Sequence, residues 1–199
     1  MPPIRRSRKD VDESVSYATF WQRFAAGLID LLVFVPLMLA YQRVASVSKV
    51  AAVVFTILHV CLGQAYSIYG HGRFGKTVGK LVMGIRVVRV TGEPLHWREA
   101  WLRSAFDLGF VFVSTIGQVA AMIAIANSEY YGVGWSTRSA NLAAHEPAWA
   151  TWAMKLGTIW YFSEVVTMLF NKRRRALHDL VAGTVVVSEK RQGVAEPAP

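Results

Sequence analysis

Long apolar runs interrupted by single polar residues dominate the chain. Four can be read, at 24–41, 50–69, 105–126 and 148–170. A helix rises about 1.5 Å per residue, so about 20 residues cross a hydrocarbon core of about 30 Å. Each run is long enough, and none alternates as a membrane-barrel strand would. The pattern therefore predicts an all-α membrane protein, a four-helix transmembrane bundle.

The stretches between the runs divide the chain further. Residues 1–19 are polar, and 189–199 end in Glu-Pro-Ala-Pro and read as a disordered tail. That leaves 20–188 as the membrane domain. Loop 42–49 is short, so the first two helices are expected to form an antiparallel hairpin. Loop 70–102 opens with Gly70, Gly72, Gly75 and Gly79, then runs through β-branched residues 85–90 to a turn at 91–94 and Leu95, His96 and Trp97. This order predicts a small β hairpin, which the strand-like 183–187 could join. Loop 127–147 carries Tyr130, Tyr131 and Trp135 in a polar setting and points to no role.

Charge orients the bundle. Apolar residues make up 53% of the chain, mean hydropathy is +0.31, and the net charge is +9. All of the 22 Lys and Arg except Arg43, Lys49, Arg138 and Lys155 fall before span one, between spans two and three, after span four, or at the adjoining helix ends. The positive-inside rule then places both termini in the cytoplasm, and the β element with them. The basic surface faces anionic lipid headgroups rather than nucleic acid. A signal peptide is excluded by the length of the first run and by Asp30 inside it. Cys61 is the only cysteine, so no intramolecular disulfide forms.

Ionisable residues inside the spans carry the candidate chemistry. A carboxylate at a membrane helix centre costs roughly 2.5–3.5 kcal/mol on insertion scales, so it is either paired or functional. Asp30 lies about 10 Å deeper than Arg23, Asp107 about 6 Å deeper than Arg103, and Glu164 about 12 Å from the basic stop at 172–175. The three carboxylates thus reach similar depth. Arg23, Gly27 and Asp30 share one face of the first helix, and Thr56, His59, Gly63 and Ser67 one face of the second. Arg103, Asp107, Ser114 and Gln118 mark the third helix; Gly157, Trp160, Glu164, Thr167 and Asn171 mark the fourth. Such stripes are expected to face one another. Arg23 is expected to neutralise Asp30, and Arg103 to neutralise Asp107, so that Asp107→Asn would damage stability more than Glu164→Gln. Glu164 is left without a partner, a candidate proton carrier with His59 as its relay.

Two motifs mislead. Residues 70–77 fit the phosphate-loop pattern letter for letter, but they follow a membrane span and no magnesium-holding strand accompanies them. His178-Asp179 suggests a metal doublet, yet no second cluster completes it. No metal, no cofactor and no enzyme activity are expected.

Together these residues resemble the RDD family of bacterial integral membrane proteins, named for one arginine and two aspartates. Residues 20–30 are similar to the family's first helix, with Arg23 and Asp30. The segment holding Gly75, Thr77, Gly79, Lys80 and Gly84 resembles its glycine–lysine motif, and His178, Asp179, Gly183 and Thr184 fall in a stretch similar to its closing motif. The second aspartate corresponds to Asp179 or to Asp107. The resemblance implies a multi-pass protein of the bacterial plasma membrane, with transport suspected. The expected function is a small transporter or ion- or proton-coupled protein, acting as a homo-oligomer or with a membrane partner because four helices leave little room for a pathway. The alternative is an accessory subunit whose ion pairs are structural.

Overall fold

The computed structural model describes residues 16–189. The polar segment before residue 16 and the tail after 189 lie outside the described residues. The chain is mostly helical. Helix α1, Phe20–Val47, starts at a capping box in which the Gln22 N–H donates to Thr19 Oγ1 and the Thr19 N–H to Gln22 Oε1. Such a cap satisfies backbone donors that the first turn leaves free. Only Ser48 separates α1 from α2, Lys49–Tyr69, and its hydroxyl caps α2 by accepting from the Ala51 N–H. The predicted loop 42–49 is thus a one-residue corner. Helix α2 runs on into a π-helical turn, Gly70–Phe74.

A short helix α3, Val78–Val82, leads to strand β1, Ile85–Arg89. Helix α4, Trp97–Ala124, follows, then α5, Asn127–Tyr130, and α6, Trp135–Ala144. Helix α7, Ala148–Phe170, precedes the small helix α8, Leu177–Ala182, and strand β2, Thr184–Ser188.

Among the described residues, three helices are long and apolar enough to cross a membrane: Phe20–Val47, Lys49–Phe74 and Trp97–Ala124. Helix α7 has the length but is not among these three, Lys155, Glu164 and its Trp and Tyr side chains lowering its hydropathy. Its outward side chains are nonetheless large and apolar, Ile159, Phe162 and Leu169 among them, as are Leu32 and Leu39 on α1 and Phe112 on α4. Exposed apolar surface on this scale suits a hydrocarbon surround and not water. Small residues hold the interior contacts. A Cβ on Gly117 of α4 would sit 2.3 Å from Ala150 Cβ of α7, and one on Gly72 would sit 2.4 Å from the Trp97 ring. Close approach of this kind gives dispersion contacts where no hydrophobic force favours helix association.

The predicted hairpin within 85–97 does not form. Strand β1 instead pairs antiparallel with β2, Ile85 opposite Ser188 and Arg89 opposite Thr184. Strand β2 is buried along its whole length and needs an apolar partner. Leu95 and His96 instead lead into α4, whose start at Trp97 is capped as the Glu99 carboxylate accepts from the His96 N–H at 3.1 Å. Tyr17 adds a bridge to Val187, and the Ala18 N–H donates to the Val186 carbonyl. Ala18, Ala26, Ile85, Val87, Leu95 and Val186 form a small apolar core that seats this sheet against the start of α1.

Loop 127–147 folds into α5 and α6 as a plug at the far end of the bundle. Tyr130 is fully buried there, with the Lys49 ammonium 5.6 Å and the Arg138 guanidinium 5.1 Å from its ring centre. The Lys49 ammonium also donates to the Ile125 carbonyl. These contacts tie the start of α2 to the end of α4.

Candidate functional site: a polar cavity among the helices

Arg23 and Arg103 do not pair with Asp30 and Asp107. Both guanidiniums converge on Asp179 of α8, Arg23 Nη1 on Oδ2 at 2.7 Å and Arg103 Nη1 on Oδ1. Helical side chains slant toward the N-terminus of their own helix. Long arginines therefore reach back, away from carboxylates four or seven residues ahead. Asp179 is 0% exposed and also accepts from Thr184 Oγ1 and the Ala176 N–H. Burial opposes its charge, but the Arg103 guanidinium first and Arg23 after it hold the carboxyl well below the usual carboxylate range. Arg23 Nη2 further donates to the Arg174 carbonyl, and Arg175 donates to the Asp179 and Thr184 carbonyls. Gly183, at φ 68°, ends α8 in the left-handed conformation and turns the chain into β2. Of the two candidates for the second aspartate, Asp179 is the one bonded to Arg23.

Asp30 caps α3. Its Oδ1 accepts from the Tyr66 hydroxyl at 2.6 Å and the Gly79 N–H at 2.7 Å, and its Oδ2 from Thr77 Oγ1 at 2.6 Å. The Tyr66 oxygen accepts in turn from the Val78 N–H. Two free donors of a helix start are thus met by side chains of α1 and α2. Gly79 is required by space, since a Cβ there would lie 2.0 Å from the Ala26 carbonyl oxygen. Gly75 (φ 69°) and Gly84 (φ 64°) bracket this segment in left-handed turns. Lys76 pairs with Glu189 at 3.0 Å, so the lysine and the threonine of the phosphate-loop look-alike both have intramolecular partners.

Asp107 and Glu164 are brought together. They line a cavity of about 420 Å³ with Arg23, Gly27, Ser67, His71, Lys80, Arg103, Ser104, Tyr161, His178 and Val186. Asp107 interacts electrostatically with Glu164 and Arg103 and has the Trp160 N–H near its carboxylate, yet its buried Oδ1 makes no hydrogen bond within 3.5 Å among the described residues. Glu164 is not unpartnered as expected: its Oε1 lies 2.5 Å from His178 Nδ1. Arg103 Nη2 lies 3.0 Å from His178 Nε2. An arginine can only donate, so Nε2 is an acceptor, and the ring proton on Nδ1 goes to Glu164. Lys80, half-buried at the cavity wall, is pushed down to about 8 by burial first and Arg103 second.

His59 is not the relay partner of Glu164. It lines a second cavity of about 320 Å³ with Met38, Tyr41, Gln42, Thr56, Val60 and Gln118, nearer the other end of the helices. Of the stripe residues read from the sequence, Arg23, Gly27, Ser67, Arg103, Asp107 and Glu164 line the first cavity, but the part played by α8 was missed. Arg23 and Asp179 are separated by 156 positions, and only the shared resemblance of their segments links them.

A family model, described as the RDD family, matches residues 17–183. No curated protein and no solved structure matches the chain.

Proposed function

This chain belongs to the RDD family, and on that footing we propose that it is a small ion- or proton-coupled transporter whose working groups are Asp107, Glu164 and His178. One observation carries this reading: a membrane-helix carboxylate, Asp107, has an unpartnered oxygen at the wall of a polar cavity of about 420 Å³. At roughly 30 Å³ per water, such a space takes on the order of ten molecules, enough to bring protons or a hydrated cation to the acid. Intramembrane carboxylates next to a wet cavity mark ion and proton pathways. His178 and Glu164 stand beside Asp107 as a hydrogen-bonded pair able to accept a displaced proton.

In this reading α7 is a fourth span, packed on α4 through Gly117 and Ala150 and apolar outside. Both termini, the sheet and α8 then lie on the cytoplasmic side of the plasma membrane, where the Lys172–Arg175 charges meet anionic headgroups. No enzymatic step is assigned, and the engagement of Lys76 with Glu189 and of Thr77 with Asp30 argues against nucleotide chemistry there.

The second reading, an accessory subunit with purely structural ion pairs, is favoured by the full satisfaction of Asp179. Purified protein in liposomes separates the two. The transporter reading expects proton, sodium or potassium flux under an imposed gradient, above that of empty liposomes. No flux of any of the three would sink ion coupling.

A further inference from the structure

The second cavity has no part in the site just described, yet it shares three helices with it. Helices α1, α2 and α4 line both spaces: Gly27, Ser67 and Asp107 face the first, and Met38, His59 and Gln118 the second. Along α2, His59 and Ser67 are about 12 Å apart, and along α1 the two cavities are separated by about 16 Å.

One aromatic side chain stands in that gap. The Phe34 ring contacts His59 on one side, with centroids 5.8 Å apart, and Tyr66 on the other at 5.4 Å, both edge to face. Tyr66 is the residue whose hydroxyl donates to Asp30, one turn before Phe34 on α1. Gly63 is level with the gap on the α2 face that carries His59 and Ser67, and a side chain added there would meet nothing within 4 Å. His59 Nδ1 is buried and has no hydrogen-bond partner among the described residues. The gap thus holds an apolar ring with open space beside it and polar groups above and below.

We propose that the two cavities are the two ends of one water and proton path, with Phe34 as the plug between them and His59 as the proton-accepting group of the second cavity. The ligand class is the proton carried on water. A proton from the second side is taken up at His59 and reaches Asp107 only when the Phe34 ring moves toward the space at Gly63. With the ring in place, continuous water is excluded, which keeps a coupled carrier from acting as an open channel. Phe34 is here a positioning residue, since it exchanges no proton itself.

The path rests on the proton-coupled reading above, but its test does not depend on flux. In full-length protein carrying Cys61→Ala, single cysteines are placed by Gln118→Cys in one cavity and Ser67→Cys in the other. A membrane-impermeant thiol reagent is applied from each side of oriented liposomes. With Phe34 present, each cysteine is labelled from one side only, and the sides are opposite. With Phe34→Ala, both become labelled from both sides, while Phe34→Leu, which keeps an apolar plug, restores one-sided labelling. If Phe34→Ala does not fold, Phe34→Val puts the same question by the same readout. One-sided labelling that persists in the smaller variant overturns the path and leaves proton exchange at Asp107 from a single face untouched. Two-sided labelling supports the path even where Asp107→Asn retains flux, the result that would instead defeat the functional reading.

Discussion

Asp179 is surrounded by two guanidiniums, a hydroxyl and a backbone N–H, with no exposure to solvent. Asp179→Asn would leave Arg23 and Arg103 facing a neutral amide. Breaking a buried ion pair costs about 3–5 kcal/mol, and less in a membrane bundle, where groups find other partners. A large drop in the melting temperature of the detergent-solubilised protein is expected. Asp107→Asn has no ion-pair hydrogen bond to lose, so its effect on melting should be small. With Arg103 paired to Asp179, the ground for expecting a greater loss from Asp107→Asn than from Glu164→Gln is gone. The pH dependence has a definite sign. The folded carboxyl of Asp179 is held low, whereas an unfolded aspartate titrates near about 3.9. Its stabilisation is therefore fully present above about pH 4 and is lost as pH falls further toward the folded value. Melting followed from pH 7 into the acid range should fall more steeply for the wild type than for Asp179→Asn. Equal slopes would show that Asp179 is not the acid-sensitive group.

At the scale of elements, α1 acts as a staple. Near its start Arg23 holds α8, and two turns later Asp30 holds α3, so the two soluble-facing motifs are fixed to one helix. Gly79 tests this arrangement. Gly79→Ala sets a methyl against the Ala26 carbonyl and the Asp30 carboxyl, with nothing flexible to yield. It should separate α3 from α1 and break the Asp30 cap, a loss of about 1–3 kcal/mol for buried groups left unpaired. Gly27→Ala, on the same helix pair but with open space around it, should change melting little. Similar behaviour of the two variants would contradict the staple. Much of this level was legible in advance. The helix runs follow from apolar length. The pairing of β1 with β2 was visible only as an option, because strand partners are chosen by burial and not by proximity in sequence. Which carboxylate each arginine would choose was misread, since sequence spacing ignores the direction in which a helical side chain leans.

For the whole molecule, the sequence conveys a membrane bundle because exposed apolar surface needs hydrocarbon, and the positive charges predict an orientation still to be tested. The cavities were not legible, as they depend on where four helices fail to fill space. Orientation is checked by labelling from outside the cell. Ser139→Cys on α6 should react and Thr91→Cys in the turn after β1 should not; the opposite pattern would invert the topology. The account's central division assigns Arg23, Asp30, Arg103 and Asp179 to architecture, and Asp107, Glu164 and His178 to ion handling. Its most direct test is gradient-driven proton flux of Asp107→Asn in liposomes, at matched amounts of folded protein. The account predicts a variant that melts close to wild type but carries no proton flux above empty liposomes. Flux equal to wild type in the correctly folded Asp107→Asn protein would contradict it.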